Sequence, residues 1–264
     1  MKFSRKTLGI PYAVFLLLFV VAPLVVLFYY AFTNGKGYFT LKNLTDFFTD
    51  PNTLGTLFYS LMIALATTVV CLLIAYPVAY ILATSKLKSK SVIIMIFVMP
   101  MWINFSLRIT ALKEILTLIE GNLALYPFLN SVIGMTYDFL PFMILPIYNT
   151  IVKLDGSLTE AARDLGADER GAFLRVTLPL SLPGVISGIQ MVFMPSLTFY
   201  MIPDILNEGS KTTIGNTVQN FILNESTTYN QAGNVLSLLL LIFVLITMGI
   251  LRGQDKEAGG GMAL

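Results

Sequence analysis

The residues that could carry covalent or metal chemistry are almost absent from this sequence. It contains no histidine and a single cysteine, Cys71. Without histidine the chain can form neither a Ser-His-Asp triad nor a Cys-His nucleophile, and one cysteine can form neither an internal disulfide nor a zinc-finger set. We therefore expect no catalytic residues and no metal site.

A phosphate-binding loop is missing as well. The P-loop needs the pattern G-x-x-x-x-G-K-[ST], because its backbone amides wrap the phosphates. The nearest match, Ser210-Lys211-Thr212, has serine in place of the second glycine and Ile205 in place of the first. We predict that the chain is not an enzyme, binds no cofactor, and relies on another polypeptide for any ATP hydrolysis.

Asp138 is the acidic residue that most calls for an explanation, because it interrupts an otherwise uncharged run from Gly121 to Val152. An aspartate within a membrane helix costs about 2.5–3.5 kcal/mol, so it should face a cavity or other helices. A cationic solute would offset that cost, and Tyr137 would add an aromatic face worth about 0.5–2 kcal/mol to an ammonium group. Alternatively, Arg108 neutralises Asp138, or the carboxylate is hydrogen-bonded between helices.

Two further pairs of polar and aromatic residues could contact the same solute. Trp102 and Asn104 follow Pro100, which removes a helical hydrogen bond. Tyr200 and Asp204 form a second aromatic and acidic pair. The alternatives are that Trp102 belongs to the aromatic belt at the membrane interface and that Tyr200 and Asp204 only begin a loop.

The elements that position these residues must be membrane helices. The chain of 264 residues is 56% hydrophobic and only 12% charged, whereas about a quarter of the residues of a soluble domain are charged. A formal net charge of +2 gives no electrostatic footprint for nucleic acid. We therefore expect an all-α integral membrane protein, surrounded by lipid, with a single transmembrane domain over residues 1–264.

Six apolar runs approach or exceed the roughly 20 residues that a helix needs to cross the hydrocarbon core. The third is short, and we count it as a span on the expectation that Arg108 extends its guanidinium to the interface. The predicted spans cover approximately residues 9–32, 56–82, 91–112, 128–152, 177–203 and 234–252.

The basic residues predict the orientation, because basic loops are retained in the cytoplasm. One set of alternate segments holds twelve of them: Lys2, Arg5, Lys6, Lys86, Lys88, Lys90, Lys153, Arg163, Arg170, Arg175, Arg252 and Lys256. The other set holds five: Lys36, Lys42, Arg108, Lys113 and Lys211. Both termini and the loop at 153–176 are therefore predicted to be cytoplasmic.

That loop carries the signals of a short helix. Ser157 and Glu160 fit a capping box in which Ser157 is the N-cap. Gly166 follows the last apolar position and is suited to end the helix, and Asp168 is suited to cap a second one. One interpretation is an amphipathic helix that lies on the inner membrane surface. The small Ala161 and Ala162, together with mixed polar-face charges, instead suit docking in a groove of another protein.

The spacing in this loop resembles that of a known family. Glu160-Ala161-Ala162, Gly166 and Val176-Thr177-Leu178-Pro179 are similar to the EAA loop of ATP-binding-cassette importer permeases, except that isoleucine is more usual than Val176. The resemblance implies a type I (MetI-like) permease fold in which the loop forms a coupling helix for a cytoplasmic ATPase. The coupling residues it implies are Ser157, Glu160, Ala161, Ala162, Asp164 and Gly166.

The likeness extends beyond the loop to the permeases of spermidine/putrescine importers. It is carried by Tyr76-Pro77-Val78-Ala79-Tyr80, Pro100-Met101-Trp102-Ile103-Asn104, Leu140-Pro141-Phe142-Met143 and Lys153-Leu154-Asp155. It implies a bacterial inner-membrane subunit that works with a second homologous permease, two copies of an ATPase that uses ATP, and an extracytoplasmic polyamine-binding protein. The alternatives are a permease for another small solute (an amino-acid derivative, a metal chelate or an oxyanion), an ion-coupled carrier acting alone, and a membrane scaffold.

Overall fold

The protein is helical almost throughout. The computed structural model describes residues 5–34, 36–85, 89–223, 233, 235–242, 245, 246 and 249. Within these ranges the extended pairing is limited to one isolated bridge between Thr33 and Phe39. The all-α prediction is therefore confirmed for the described part of the chain.

The helices follow one another along the chain with short connections. They are α1 (Arg5–Leu16), α2 (Ala22–Ala31), α3 (Lys42–Thr49), α4 (Pro51–Thr84), α5 (Lys90–Val98), α6 (Phe105–Glu120), α7 (Pro127–Ile151), α8 (Gly156–Asp164), α9 (Glu169–Ala172), α10 (Leu178–Thr198), α11 (Met201–Asn207) and α12 (Ile214–Leu223). Short π-helical or 3₁₀ turns lie at Leu17–Val21, Met99–Trp102, Leu123–Leu125 and Phe173–Thr177.

The chain forms two compact units. The first comprises Met1–Leu57 and Ile214–Phe243, and the second comprises Phe58–Thr213 and Val244–Leu264. All of the predicted coupling and substrate-path residues belong to the second unit. The prediction of a single permease domain over residues 1–264 stays a prediction.

Four continuous helical stretches in the described residues are long and apolar enough to cross a membrane. They are Ile10–Ala31, Pro51–Thr84, Pro127–Ile151 and Glu169–Thr198. A fifth crossing is possible if Lys90–Trp102 and Phe105–Glu120 are taken as one span. The predicted sixth span, 234–252, lies partly outside the described residues, although 235–242 within it are helical. The count of six spans therefore stays a prediction.

The second unit is built around α7, which packs along α10 through small residues. A Cβ atom added at Gly184 would lie 2.8 Å from the Pro146 carbonyl oxygen, and one at Gly188 would lie 3.3 Å from the Met143 carbonyl oxygen. Real Cβ atoms essentially never approach within 3.0 Å, so Gly184 needs glycine, and a Cβ at Gly188 would require Met143 to shift by a few tenths of an ångström. The small-residue stripe on α10 is thus a helix-packing surface, as its small-xxx-small spacing predicts.

Two of the predicted spans are interrupted. The third bends by 97° between Trp102 and Phe105, after a 3₁₀ turn over Met99–Trp102 that contains Pro100, and Ile103 at the bend is extended. The fifth, predicted over 177–203, is helical only to Thr198, three residues after Pro195, because Phe199 is extended with ψ 123°. Proline lacks an amide hydrogen, and continuous helices often end near it. Each of these two spans is therefore broken by extended residues and does not cross as one straight helix.

Candidate functional site

The bend in the third span brings a cation into the interior of the second unit. Arg108 lies in the first turn of α6, whose N-cap is Asn104, with its side-chain oxygen accepting from the Leu107 amide at 3.3 Å. The Arg108 Nη1 donates to the Pro100 carbonyl oxygen at 2.8 Å across the bend. The same carbonyl oxygen also accepts from the Ile103 amide at 3.2 Å, so the guanidinium is its second donor and links the two sides of the bend.

The same guanidinium forms an ion pair with Asp138 on α7. Arg108 Nη2 contacts Asp138 Oδ1, and the two side chains are only 8% and 9% exposed. The Arg108 Cζ atom also lies 5.6 Å from the centre of the Tyr137 ring, within the range of a cation–π contact. One side chain thus occupies both the carboxylate and the aromatic face that the sequence offers to a cationic solute.

This geometry corrects the expected interfacial position of Arg108 and decides between the two expected roles of Asp138. Arg108 does not extend to an interface, because its side chain turns inward to a buried partner. Of the two predicted roles for Asp138, neutralisation by Arg108 is the one observed in the structure. The physical reason is that a buried charge is costly unless it is paired, and a guanidinium can pair with the carboxylate and a carbonyl simultaneously.

An aromatic cluster next to this ion pair was not predicted from the sequence. The Phe199 ring meets Phe105 edge-on at 5.3 Å and Phe139 edge-on at 5.8 Å between centroids. Phe105 begins α6, Phe199 is the C-cap that follows α10, and Phe139 follows Asp138 on α7. The two helix breaks therefore meet on α7 beside Asp138. No sequence periodicity signals this contact, since the three residues come from separate helices.

The remaining predicted path residues lie at the two breaks. Trp102 is 77% exposed at the end of the 3₁₀ turn. Asn104 is exposed and caps α6, so its observed role is structural. Tyr200 precedes α11, and Asp204 lies exposed in the first turn of that helix. Tyr137 and Asp138 thus lie together on α7. Trp102 and Asn104 lie at the break before α6, and Tyr200 and Asp204 lie at the break between α10 and α11.

The predicted coupling segment forms a separate, capped helix on the surface of the second unit. Its N-cap is Asp155, whose Oδ1 accepts from the Ser157 amide at 3.0 Å. The predicted capping box is therefore wrong, because Ser157 already lies inside the helix. An aspartate before a glycine provides an acceptor two residues earlier than the serine does. The hydrogen bonds from the Ser157 amide and side chain lower the pKa of Asp155.

The other end of α8 follows the prediction closely. Gly166 has a φ of 88°, in the left-handed region that favours glycine. Its amide donates to the Arg163 carbonyl at 2.9 Å, and the Ala167 amide donates to the Ala162 carbonyl at 3.0 Å. These two bonds make a Schellman motif, which ends the helix sharply.

The apolar side chains of α8 are largely uncovered by this chain. Leu158 is 47% exposed, and Leu165, at the C-cap, is 90% exposed. Of the residues predicted to couple the ATPase, five lie within the helix and Gly166 follows it: Ser157, Glu160, Ala161, Ala162, Asp164 and Gly166. An exposed leucine at the end of a rigidly capped helix is suited to enter a groove on a partner.

The chain after α8 is fixed to two long helices. Asp168 caps α9 as predicted, accepting from the Gly171 amide at 2.9 Å. Phe173 then packs edge-on against Tyr80 at 5.1 Å and Tyr76 at 6.0 Å between centroids. The Tyr76 and Ser181 hydroxyl oxygens are 2.9 Å apart in a hydrogen bond. The segment after α8 is thereby fastened to α4 and α10.

Comparison with known proteins identifies the family of this chain. The family described as "Binding-protein-dependent transport system inner membrane component" matches residues 3–257. The chain belongs to this family. It is accordingly a multi-pass plasma-membrane protein and a membrane permease component, and the family implies binding-protein and ATPase partners.

Individual relatives of this permease cover most of its length. It is 33% identical to the "Spermidine/putrescine transport system permease protein PotB" of Haemophilus influenzae, over 97% of both chains. It is 34% identical to the protein of the same name from Escherichia coli strain K12, over 72% of this chain and 74% of that one. A "PotB homolog" of Mycoplasma pneumoniae is 36% identical over 54% of both chains.

A solved structure resembles the permease in fold. It is the "Crystal structure of a bacterial ABC transporter involved in the import of the acidic polysaccharide alginate", with a TM-score of 0.65 and 18% identity. The match covers 96% of this chain and 99% of that one. At this identity the likeness establishes a shared fold, which is the MetI-like architecture predicted from the sequence.

Proposed function

We propose that this chain is the permease subunit of an ATP-driven importer that carries the polyamines spermidine and putrescine into the cell. The observation that carries the choice of substrate is the 33% identity to a spermidine/putrescine permease over 97% of both chains. A polyamine is a flexible cation, and the carboxylate of Asp138 beside the Tyr137 ring is chemically suited to an ammonium group. An oxyanion would be repelled by the same carboxylate.

In this proposal α8 is the coupling helix, and a cytoplasmic ATPase holds it in a groove. Support comes from its exposed apolar side chains, its caps at both ends, and its attachment to α4 and α10 through Phe173. The chain supplies no P-loop, so the nucleotide-binding groups belong to the ATPase. The complete importer has two such ATPase subunits, a second homologous permease and an external polyamine-binding protein. Both termini and α8 face the cytoplasm.

The proposed substrate path includes the two helix breaks as well as Asp138. Irregular backbone at membrane depth is tolerated only where it is buried in protein or lines a cavity. In this proposal the exposed residues of the two breaks line that cavity, while Phe105 and Phe199 pack on each other beside α7. We assign Tyr137 and Asp138 to cation binding, and Trp102, Asn104, Tyr200 and Asp204 to the walls of the path at the breaks.

The experiment is uptake of radiolabelled spermidine into vesicles that contain this permease with its partner permease, ATPase and binding protein. We expect saturable uptake that requires ATP on the α8 side and is competed by putrescine but not by oxyanions or amino-acid derivatives. Uptake of one of those competitors instead of spermidine would contradict the substrate assignment. Uptake by the isolated chain, driven by an ion gradient without ATPase, would contradict the importer mechanism.

A further inference from the structure

We propose that Arg108 is an internal cation that a transported ammonium group must replace. In this proposal the solute takes over Asp138 and Tyr137, and Arg108 withdraws, which releases the bend of the third span from α7. The inference rests on the proposed function, and it adds a specificity-determining residue and a mechanism by which only a cation opens the path.

The first argument is the identity of the contacts. The Arg108 guanidinium forms an ion pair with Asp138 and lies 5.6 Å from the centre of the Tyr137 ring. These are a carboxylate and an aromatic face, the two groups that recognise an alkylammonium ion. Arg108 therefore occupies the position that such a solute would need.

The second argument is that Arg108 keeps one hydrogen-bond acceptor after it leaves Asp138. Its Nη1 donates to the Pro100 carbonyl oxygen at 2.8 Å. Pro100 lies on the other side of the bend, in the 3₁₀ turn, and not on α7. Arg108 can therefore break its ion pair with α7 while it remains bonded within its own span.

The third argument concerns access and incomplete bonding. Tyr137 is 42% exposed, whereas Asp138 is 7% exposed, so an entering ion can reach the aromatic face before it reaches the carboxylate. Within the described chain, the buried Nε of Arg108 has no hydrogen-bond partner. A guanidinium with an unsatisfied donor is easier to displace than one whose donors are all paired.

The fourth argument is the energetic consequence of exchange. A buried carboxylate that loses its cation is strongly destabilised, so Arg108 cannot leave Asp138 unless another cation replaces it. Neutral and anionic solutes offer no such replacement. The bend of the third span can therefore separate from α7 only when the solute carries a positive charge. This condition acts within the permease, in addition to any selection by the binding protein.

The test compares paired substitutions in the complete importer, reconstituted in vesicles with spermidine as the probe. The variants are Arg108→Gln, Asp138→Asn and the double variant of both, measured for initial uptake rate, half-saturating spermidine concentration and spermidine-stimulated ATPase. The control is Lys113→Gln with Glu208→Gln, which removes the partly exposed ion pair between α6 and the C-cap residue of α11, whose atoms lie 3.0 Å apart.

We expect Arg108→Gln to lower the half-saturating concentration at least threefold, because the competing cation is gone, and to raise ATPase activity without spermidine at least twofold. Asp138→Asn should reduce uptake at least tenfold. The double variant should be present at the normal protein level, because no charge is left unpaired. Its spermidine uptake should nevertheless fall at least tenfold, and most of the stimulation of ATPase activity by spermidine should be lost. The control should match the unmodified importer within twofold.

A double variant with normal uptake, half-saturation and stimulation would overturn the inference, since the pair would then be purely structural. If Arg108→Gln alone does not assemble, the double variant still decides, because it leaves no buried charge unpaired. Failure of the proposed function gives a different result, namely no spermidine uptake by the unmodified importer. If the unmodified importer takes up spermidine and the double variant behaves in the same way, only the proposed role of Arg108 is rejected.

Discussion

At the scale of single residues, a carboxylate within the apolar length of a helix needs a partner, and here Arg108 supplies it. The same guanidinium donates to the Pro100 carbonyl oxygen at 2.8 Å, which joins the first turn of α6 to the 3₁₀ turn before the bend. One arginine thus neutralises a buried charge and stabilises an interrupted helix. The sequence left two roles open for Arg108, an interfacial side chain and a partner for Asp138, and the structure shows the second.

Gly184 allows a first residue-scale prediction about the contact between α7 and α10. Gly184→Ala should destabilise the permease by about 1–3 kcal/mol, because its Cβ would meet the Pro146 carbonyl oxygen at 2.8 Å. The thermal unfolding midpoint of the purified permease measures this effect. Gly55→Ala is the matched control, since a Cβ there meets nothing within 4 Å. An equal midpoint for the two variants would contradict the close packing.

Asp155 gives a second residue-scale prediction, which concerns the start of α8. Asp155→Ala should accelerate amide hydrogen exchange at Ser157 severalfold, because the side chain that accepts from that amide is lost. Asp155→Asn is the control, because its amide oxygen can still accept. If the alanine variant exchanges at the same rate as the control, the cap is not formed by this side chain.

The charge of Asp155 also gives the cap a defined pH dependence. Its folded pKa lies below the ordinary value of an aspartate, because the charged carboxylate accepts hydrogen bonds from Ser157. The stabilisation is therefore complete above the unfolded pKa and is lost as the pH falls through the lower folded value. Protection of the Ser157 amide should follow that course in the native permease, and the asparagine variant should lack the transition.

At the scale of elements, α8 is a short helix that depends on its ends. An isolated helix of nine residues is marginal in water, so its caps and the anchorage of the following chain decide whether it keeps one conformation. Asp155 and Gly166 supply those caps, and Phe173 holds the chain that returns to the membrane. A rigid helix can transmit movement of a partner to α4 and α10, whereas a frayed one would absorb it.

Gly166 provides the element-scale prediction. Gly166→Ala forces a side chain into a left-handed conformation, at a cost of about 1–3 kcal/mol. We expect at least a fivefold loss of uptake in the reconstituted importer, with normal membrane insertion, because the end of α8 is displaced. Gly121→Ala is the matched control, since Gly121 also has a positive φ, 74°, and open space around it, but ends α6.

The two variants have distinct outcomes under the coupling proposal. Both should lose some stability, but only Gly166→Ala should separate ATPase activity from uptake. If Gly121→Ala reduces coupling equally, general destabilisation is the cause and the special role of α8 is rejected. Normal uptake by Gly166→Ala would also reject it.

At the scale of the whole molecule, orientation in the membrane decides which face meets the ATPase. The single cysteine is buried, so a Cys71→Ala chain provides a background for cysteine labelling. Leu165, 90% exposed after α8, and Leu125, 63% exposed between α6 and α7, are the positions for new cysteines. They are predicted to lie on opposite sides of the membrane.

The expected result is that a membrane-impermeant thiol reagent labels Leu125→Cys in intact cells and Leu165→Cys only in inverted vesicles. Assembly with the ATPase should then protect Leu165→Cys, because the partner covers that leucine. The opposite labelling pattern would overturn the orientation predicted from the twelve and five basic residues. Labelling of both cysteines from one side would contradict the crossing of α7.

The sequence by itself determined the features that depend on local composition and local backbone preference. Low charge and long apolar runs set the membrane class, because hydrocarbon excludes unpaired polar groups. Gly166 set the end of α8, since its left-handed conformation favours glycine, and Asp168 set the start of α9. The spacing of Glu160, Gly166 and Pro179 was sufficient to indicate the importer family that the comparisons then established.

Only the tertiary structure decided which distant groups meet. Arg108 and Asp138 are 30 residues apart in the chain, and no periodicity specifies that the first helical turn after the bend points its cation at α7. The meeting of Phe105 and Phe199 likewise depends on where two helices break and on how both pack against α7. These contacts follow from the geometry of three helices together, because the pairing of a buried charge is a property of all the elements that surround it.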